Sequence, residues 1–208
     1  RDLAESRWLG DVDKRQPYKL DSMSFVDSSD GFAEQVGAIN TIISRNGTLV
    51  GTNTDVEGIQ NSFKLTNVNL KNKTVILFGG GGAARAVIVA MKNAGVKDIT
   101  VINRTENKVK HFESFADSNF NVSILSADLV TSDRSALFRN ADIIINATSL
   151  GMSKGGNELL SPIPQELLYS SQVVFDLVYT PERTPLLKMA ESAGAQSVSY
   201  THLTMTTN

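Results

Sequence analysis

The residues most clearly arranged for chemistry are glycines. Phe78-Gly79-Gly80-Gly81-Gly82-Ala83-Ala84 fits the pattern G-x-G-x-x-A, with Gly79, Gly81 and Ala84 in the three fixed places. In that pattern the first glycine permits a tight turn. The second lets a pyrophosphate approach the backbone, and the small third residue lets helix and strand pack closely. A helix opening at this turn presents free N–H groups and the positive end of its dipole to phosphates. As a mere flexible loop, four successive glycines would cost order with no return.

A second group selects the dinucleotide. Sites for NAD usually carry an acidic residue at the end of the next strand, for the ribose 2′-hydroxyl. Here Asn103-Arg104-Thr105 follows Ile102, 24 positions after Gly79, and Lys108 lies one helical turn on. With no carboxylate at position 103 and two cations close by, this segment favours NADP over NAD, because a 2′-phosphate would be stabilised there. The ordinary alternative is a solvated basic helix start, but cations sit badly at a helix N-terminus unless an anion visits.

Elements must position these groups, and the chain from Lys73 onward supplies them in alternation. Lys73–Phe78, Asp98–Ile102, Asn121–Leu125, Asp142–Ile145, Gln172–Leu177 and Gln196–Val198 read as strands. Ala83–Asn93, Glu106–Asp117, Ser132–Phe138, Gln165–Tyr169 and Pro185–Ala193 read as helices, with Thr105 suited to cap the second. Nearly continuous apolar strands between helices predict an α/β fold of Rossmann type, a doubly wound parallel sheet. The segment before Lys73 differs. Gly37–Ser44 and Thr48–Thr52 form a hairpin about Arg45-Asn46-Gly47, and Asp55–Leu65 follows as a helix. The polar run Thr66–Lys73 is the expected boundary.

Composition limits the alternatives. Of 208 residues, 41% are hydrophobic and 20% charged, so a folded chain is expected rather than a disordered one. Twenty basic against 22 acidic residues give a net charge of −2, with no global field for nucleic acid or an anionic membrane. No cysteine is present, which excludes a disulfide scaffold, a thiolate metal site and a cysteine nucleophile, and agrees with a cytoplasmic setting. The histidines, His111 and His202, stand in no carboxylate cluster, so no metal is expected. No run of 18 apolar residues is present to span a membrane.

With these residues placed, the chain resembles the shikimate dehydrogenase family, including its quinate/shikimate relatives. The resemblance rests on six ordered blocks: Gly37-Ala38-Ile39-Asn40-Thr41, Asn53-Thr54-Asp55, Gly79 to Ala86, Asn103 to Lys108, Asn146 to Met152, and Asp176 to Leu187. It implies reversible NADPH-linked reduction of 3-dehydroshikimate to shikimate, in aromatic amino-acid synthesis. It implies a Lys–Asp pair, with Lys19 of Pro17-Tyr18-Lys19 as the acid/base and Asp55 as its partner. Asn40, Thr54, Asp55 and Tyr179 would contact the substrate together with Lys19. Gly79, Gly80, Gly81, Gly82, Ala83, Asn103, Arg104, Thr105, Lys108 and Thr148 would hold NADP, with Leu177 beside the nicotinamide. A partial substrate-binding domain over residues 1–66 and an NADP-binding domain over residues 67–199 are expected. The protein would be a monomer or homodimer acting on a small molecule.

Each residue also has an ordinary reading. Asp55 suits a helix N-cap, Asn40 a strand turn, Tyr179 the core, and Lys19 a solvated surface. The match weakens at both ends. Residues 1–16 fit poorly, with Arg15 where a substrate-binding threonine is expected, and residues 200–208 lack the family's returning glutamine block. Truncation at both ends is expected on that ground, since Arg1 is not a methionine start. Two alternatives therefore stand beside the shikimate reading: a dehydrogenase that also takes quinate, and a catalytically silent NADP-binding fragment. A different dinucleotide enzyme with the same βαβ unit is disfavoured by the Asn53-Thr54-Asp55 and Tyr179 blocks.

Overall fold

The computed structural model describes residues 7–11, 21–103, 115, 122–126, 135–153 and 156–200. Lys19, Arg104, Thr105, Lys108, both histidines, the tail beyond Tyr200 and all but Phe115 of the expected helix Glu106–Asp117 lie outside the described residues.

The second half of the chain builds a six-stranded sheet. Its strands are β5 (Thr74–Phe78), β6 (Asp98–Asn103), β7 (Val122–Ser126), β8 (Ile143–Asn146), β9 (Val173–Asp176) and β10 (Gln196–Ser199). They lie in the order β10-β9-β8-β5-β6-β7, and every pairing is parallel. This is the doubly wound order, with its switch point between β5 and β8. The central strands are buried on both faces, which is why Val75–Phe78 and Ile143–Ile145 read as unbroken apolar runs.

Helix α3 (Gly82–Asn93) follows β5 and buries Ala84 and the whole run Ala86–Met91. A helix so widely apolar must be covered on more than one side. The sheet covers one side, and α2 (Asp55–Leu65) packs on another. Helix α4 (Ser135–Arg139) and α5 (Pro185–Ser192) belong to the opposite face, around Ile76, Phe78 and Ile144. Thr184 caps α5 by accepting the Leu187 N–H, and Pro185 takes the first helical position, where its missing donor costs nothing.

The first part of the chain forms a separate four-stranded sheet of order β1-β3-β4-β2. Here β1 (Arg7–Asp11) and β2 (Ser28–Ser29) flank the hairpin of β3 (Thr41–Arg45) and β4 (Thr48–Thr52). Asn46 and Gly47 take φ of 50° and 81°, the paired left-handed conformation that an Asn-Gly hairpin requires. Phe63 of α2 meets Phe175 of β9 edge to face at 4.9 Å, so one apolar cluster runs from α2 into the parallel sheet.

Four expectations need correction. Strand β3 begins at Thr41 rather than Gly37, because Gly37 (φ 64°) ends α1 (Gly31–Val36) as its left-handed cap. Gln165–Tyr169 is one 3-10 turn, Gln165–Leu167, since Leu168 is already extended. Asp55 is not the cap of α2 but its first residue; Thr54 holds the cap position. Tyr179 is not in the core but 42% exposed.

Candidate active site

Three segments meet the expectations for a site, and each is held by a different device. The first is the glycine turn after β5. The Gly79 N–H donates to Ile102 O at 3.0 Å, and Ala147 N–H donates to Phe78 O at 2.8 Å, so both neighbouring strands pin the turn. Gly79 has φ of 124°, and a Cβ there would lie 2.8 Å from Ala147 O. A Cβ on Gly80 would lie 2.4 Å from Asn103 Nδ2, whereas one on Gly81 would meet nothing within 4 Å. Gly81 is the N-cap of α3 and offers no side-chain cap, so the first-turn N–H groups face that open space uncapped. Beside them the buried Asn103 Nδ2 has no hydrogen-bond partner among the described residues. A buried donor left unpaired is costly. Uncapped amides, an orphan amide donor and a bare approach at Gly81 together fit an extended anionic ligand such as a dinucleotide phosphate.

The second segment is the corner between β4 and α2. Asn40 is 4% exposed, and its Oδ1 accepts the Thr54 N–H at 3.1 Å and the Thr41 hydroxyl at 3.0 Å. Its Nδ2 donates to Thr54 Oγ1 at 3.2 Å. Asn53 donates to Ala38 O at 2.9 Å and accepts the Asp55 N–H at 3.1 Å. Asn53 thus meets the N–H of Asp55, the first residue of α2. Asp55 is 9% exposed and accepts the Tyr200 hydroxyl at 3.3 Å. The Tyr200 ring packs 6.4 Å from that of Phe175, which joins this corner to the parallel sheet.

The third segment is the carboxyl ends of β8 and β9, beside the switch point. Asp176 is fully buried, and its three bonds are all accepted ones. Asn146 Nδ2 reaches Oδ1 at 2.9 Å, Val178 N–H reaches Oδ1 at 2.9 Å, and the Thr184 hydroxyl reaches Oδ2 at 2.6 Å. Burial pushes the Asp176 carboxyl up to about 6, against the opposing pull of Thr184, Val178 and Asn146. Asn146 in turn accepts the Thr148 N–H at 3.0 Å and its hydroxyl at 2.7 Å. Leu177 follows half-buried, its N–H given to Asn146 O at 3.0 Å, and Tyr179 stands exposed beyond it.

The structure thus gathers Asn40, Thr54 and Asp55 at one corner, Gly79–Ala83 with Asn103 at the turn, and Thr148, Leu177 and Tyr179 along one sheet edge. Sequence reasoning did not assign Asn53, Asn146, Asp176, Thr184 or Tyr200. The first four lie inside the quoted blocks, so the signal was present, but their partnerships were not. Among the described residues, no group of three or more His, Cys, Asp or Glu is placed to hold a metal ion, and no helix is long and apolar enough to cross a membrane.

Known proteins resemble this chain in sequence and fold. Residues 60–181 match the family model for shikimate / quinate 5-dehydrogenase. The shikimate dehydrogenase (NADP(+)) of Caldanaerobacter subterraneus subsp. tengcongensis is 34% identical over 184 residues, which is 88% of this chain and 64% of that protein. Shikimate 5-dehydrogenase from Listeria monocytogenes, solved with shikimate and NAD, superposes with a TM-score of 0.78 at 27% identity, covering 89% of this chain and 65% of that one. The Thermus thermophilus enzyme, solved with NADP(H) and shikimate, gives 0.71 at 30% identity over 88% of this chain and 64% of its own. The chain therefore spans slightly under two thirds of the relatives it matches. On the strength of those matches, and of the glycine turn, Asn-Thr-Asp corner and switch-point edge that it shows in its own structure, the chain belongs to the shikimate/quinate 5-dehydrogenase family.

Proposed function

We propose that this chain binds NADP at the glycine turn and carries out the reversible NADPH-linked reduction of 3-dehydroshikimate to shikimate. The observation that carries the reading is the open approach at Gly81, flanked by uncapped α3 amides and the unpaired Asn103 amide. Gly79–Ala83 would hold the pyrophosphate, and Asn103, Arg104, Thr105 and Lys108 the phosphorylated ribose, where charged partners add strength. Thr148 and Leu177 would flank the nicotinamide half. When bound, the reduced nicotinamide supplies a hydride to the ketone carbon.

The protein's own part is to manage charge on the ketone oxygen. Lys19 would donate a proton there, a contribution of about 10²–10⁴-fold. Asp55, only 9% exposed, would hold that ammonium in place and keep it charged. Asn40 fixes Thr54 from both its backbone and its hydroxyl, and Asn40, Thr54 and Tyr179 would read the substrate hydroxyls. The proposed division is a substrate unit over 1–66 and a dinucleotide unit over 67–199, supported by the two separate sheets. The proposed setting is the cytoplasm, as a monomer or homodimer.

The test is an NADPH titration paired with shikimate- and quinate-dependent reduction of NADP+. Turnover with shikimate supports the full proposal, and turnover with both acids supports the broader dehydrogenase. NADPH binding without turnover leaves a binding module, and no NADPH binding overturns the reading.

A further inference from the structure

The buried carboxylate of Asp176 has no assigned part in this chemistry, yet it organises the sheet edge where the nicotinamide half would lie. From its two oxygens, bonds run to three chain segments. Asn146 carries the connection to Thr148, because its Oδ1 takes both the Thr148 N–H and hydroxyl while its Nδ2 binds Asp176 and Leu150 O. The Val178 N–H fixes the turn that bears Leu177 and Tyr179. Thr184 fixes the start of α5. All three partners donate. A carboxylate accepts all of them with the assistance of its charge; a protonated carboxyl must turn its O–H toward Thr184, whose hydroxyl then accepts, and its neutral Oδ1 holds Asn146 and Val178 by weaker bonds.

Among the described residues, no partner of Asp176 is charged. On β8 it faces Asn146, and across β10 it is in register with Ser199. The titratable side chains on adjoining segments are exposed or removed from it: Tyr179, Glu182 and Arg183 on its own loop, Lys188 and Glu191 on α5, and Tyr200, whose hydroxyl is given to Asp55. Arg183 is paired with Glu191. A buried carboxylate with no cationic partner is a poor choice for stability alone.

We propose that Asp176 is a positioning residue for the cofactor site, holding Thr148 through Asn146 and the Leu177–Tyr179 turn through Val178, and that its ionised form holds them more tightly than its protonated form. The inference rests on the dinucleotide reading above. Its consequence is an acid-sensitive cofactor site: protonating Asp176 loosens the edge without removing the glycine turn. The carboxyl's displacement by burial to about 6 puts that titration within reach of experiment.

The test is NADPH affinity from pH 5 to pH 8 for the unmodified chain and for Asp176→Asn. The amide oxygen accepts without the assistance of a charge and the amide N–H2 can only donate to Thr184, so at pH 8 the variant should bind about tenfold more weakly, the scale of lost charge assistance. The gap should close to less than about twofold at pH 5, as the native carboxyl protonates. The ratio of the two affinities is the readout, because the cofactor's own 2′-phosphate, with a second pKa of about 6, titrates identically in both. A second variant, Thr184→Val, removes one donor and keeps the carboxylate; it should move the midpoint of the native pH dependence upward, and it serves if Asp176→Asn does not fold. A ratio independent of pH, or an unmoved midpoint in Thr184→Val, overturns the inference while NADPH binding stands. Failure of the unmodified chain to bind NADPH at any pH overturns the dinucleotide reading instead.

Discussion

The glycine turn and the corner of Asn40 and Asn53 hold their candidate residues by opposite means. In the parallel sheet the central strands are apolar and buried on both faces, and the glycine turn is fixed by backbone bonds to Ile102 and Phe78. In the four-stranded sheet β3 and β4 are mostly half-buried, and the site corner is clamped by the side chains of Asn40 and Asn53. The glycine turn thus rests on a frame set by burial, which is non-directional and spread over many residues. The corner of Asn40 and Asn53 is shaped by a few directional bonds, each of which can be lost singly. Single substitutions should therefore separate binding of cofactor from turnover of substrate.

The largest separation is expected from Lys19→Ala. In a turnover assay it should lower kcat by at least about 10²-fold with NADPH affinity nearly kept; an unchanged rate would remove Lys19 from the acid/base role. Gly79→Ala attacks the other half. With φ of 124° and Ala147 O 2.8 Å from the new Cβ, it should cost about 1–3 kcal/mol of stability, readable in denaturant unfolding, and weaken NADPH. A variant as stable as the parent would show that the turn is looser than its contacts imply. Asn40→Ala removes the bond to the Thr54 N–H at the corner. It should raise KM for shikimate severalfold while NADPH affinity changes little, because water can replace the bond to the exposed Thr54 but not its alignment; parallel losses of both ligands would erase the distinction between the two sites.

Stability against pH sharpens the same contrast. The Asp176 carboxyl is raised to about 6 in the folded chain, above its ordinary value of 3.8. Between those values the native state binds the proton more tightly than the unfolded chain, so this group's contribution falls as pH rises from about 4 to about 6 and is level above. The fall is roughly 3 kcal/mol, and Asp176→Asn should abolish it. Asp142 works in the opposite sense. Burial raises it, but the bonds from Thr74 and Lys73 together hold it below its ordinary value, so its smaller, solvent-screened contribution is lost as pH falls through that depressed value. A denaturation series from pH 4 to pH 8 that rises throughout would contradict the assignment to Asp176.

What could be read from the sequence was what local pattern dictates. The Asn46-Gly47 hairpin, the β5–glycine–α3 unit and the apolar strands carry their reasons within a few residues. The polar clusters do not. Asn146 and Asp176 meet because β8 and β9 are parallel and in register 30 residues apart, and no spacing rule announces that. Strand β1 likewise exists through its pairing with β3 across some thirty residues of chain. Asp55 is the first residue of α2 and not its cap because the cap position falls one residue earlier, at Thr54, whose hydroxyl is bound to Asn40. Asn103 was expected to hold the cofactor from the resemblance of the Asn103–Lys108 block, and its side-chain amide beside Gly80, unpaired among the described residues, could be known only once β5 and β6 were aligned.

The assignment turns on a phosphorylated adenosine ribose at the end of β6. The direct measurement is the affinity of NADPH and NADH for the unmodified chain and for Arg104→Ala. NADPH is expected to bind more tightly than NADH, and the substitution to weaken NADPH by at least about tenfold, the scale of one charge-assisted contact, while NADH changes little. Equal losses for both nucleotides, or equal affinities at the outset, would contradict it.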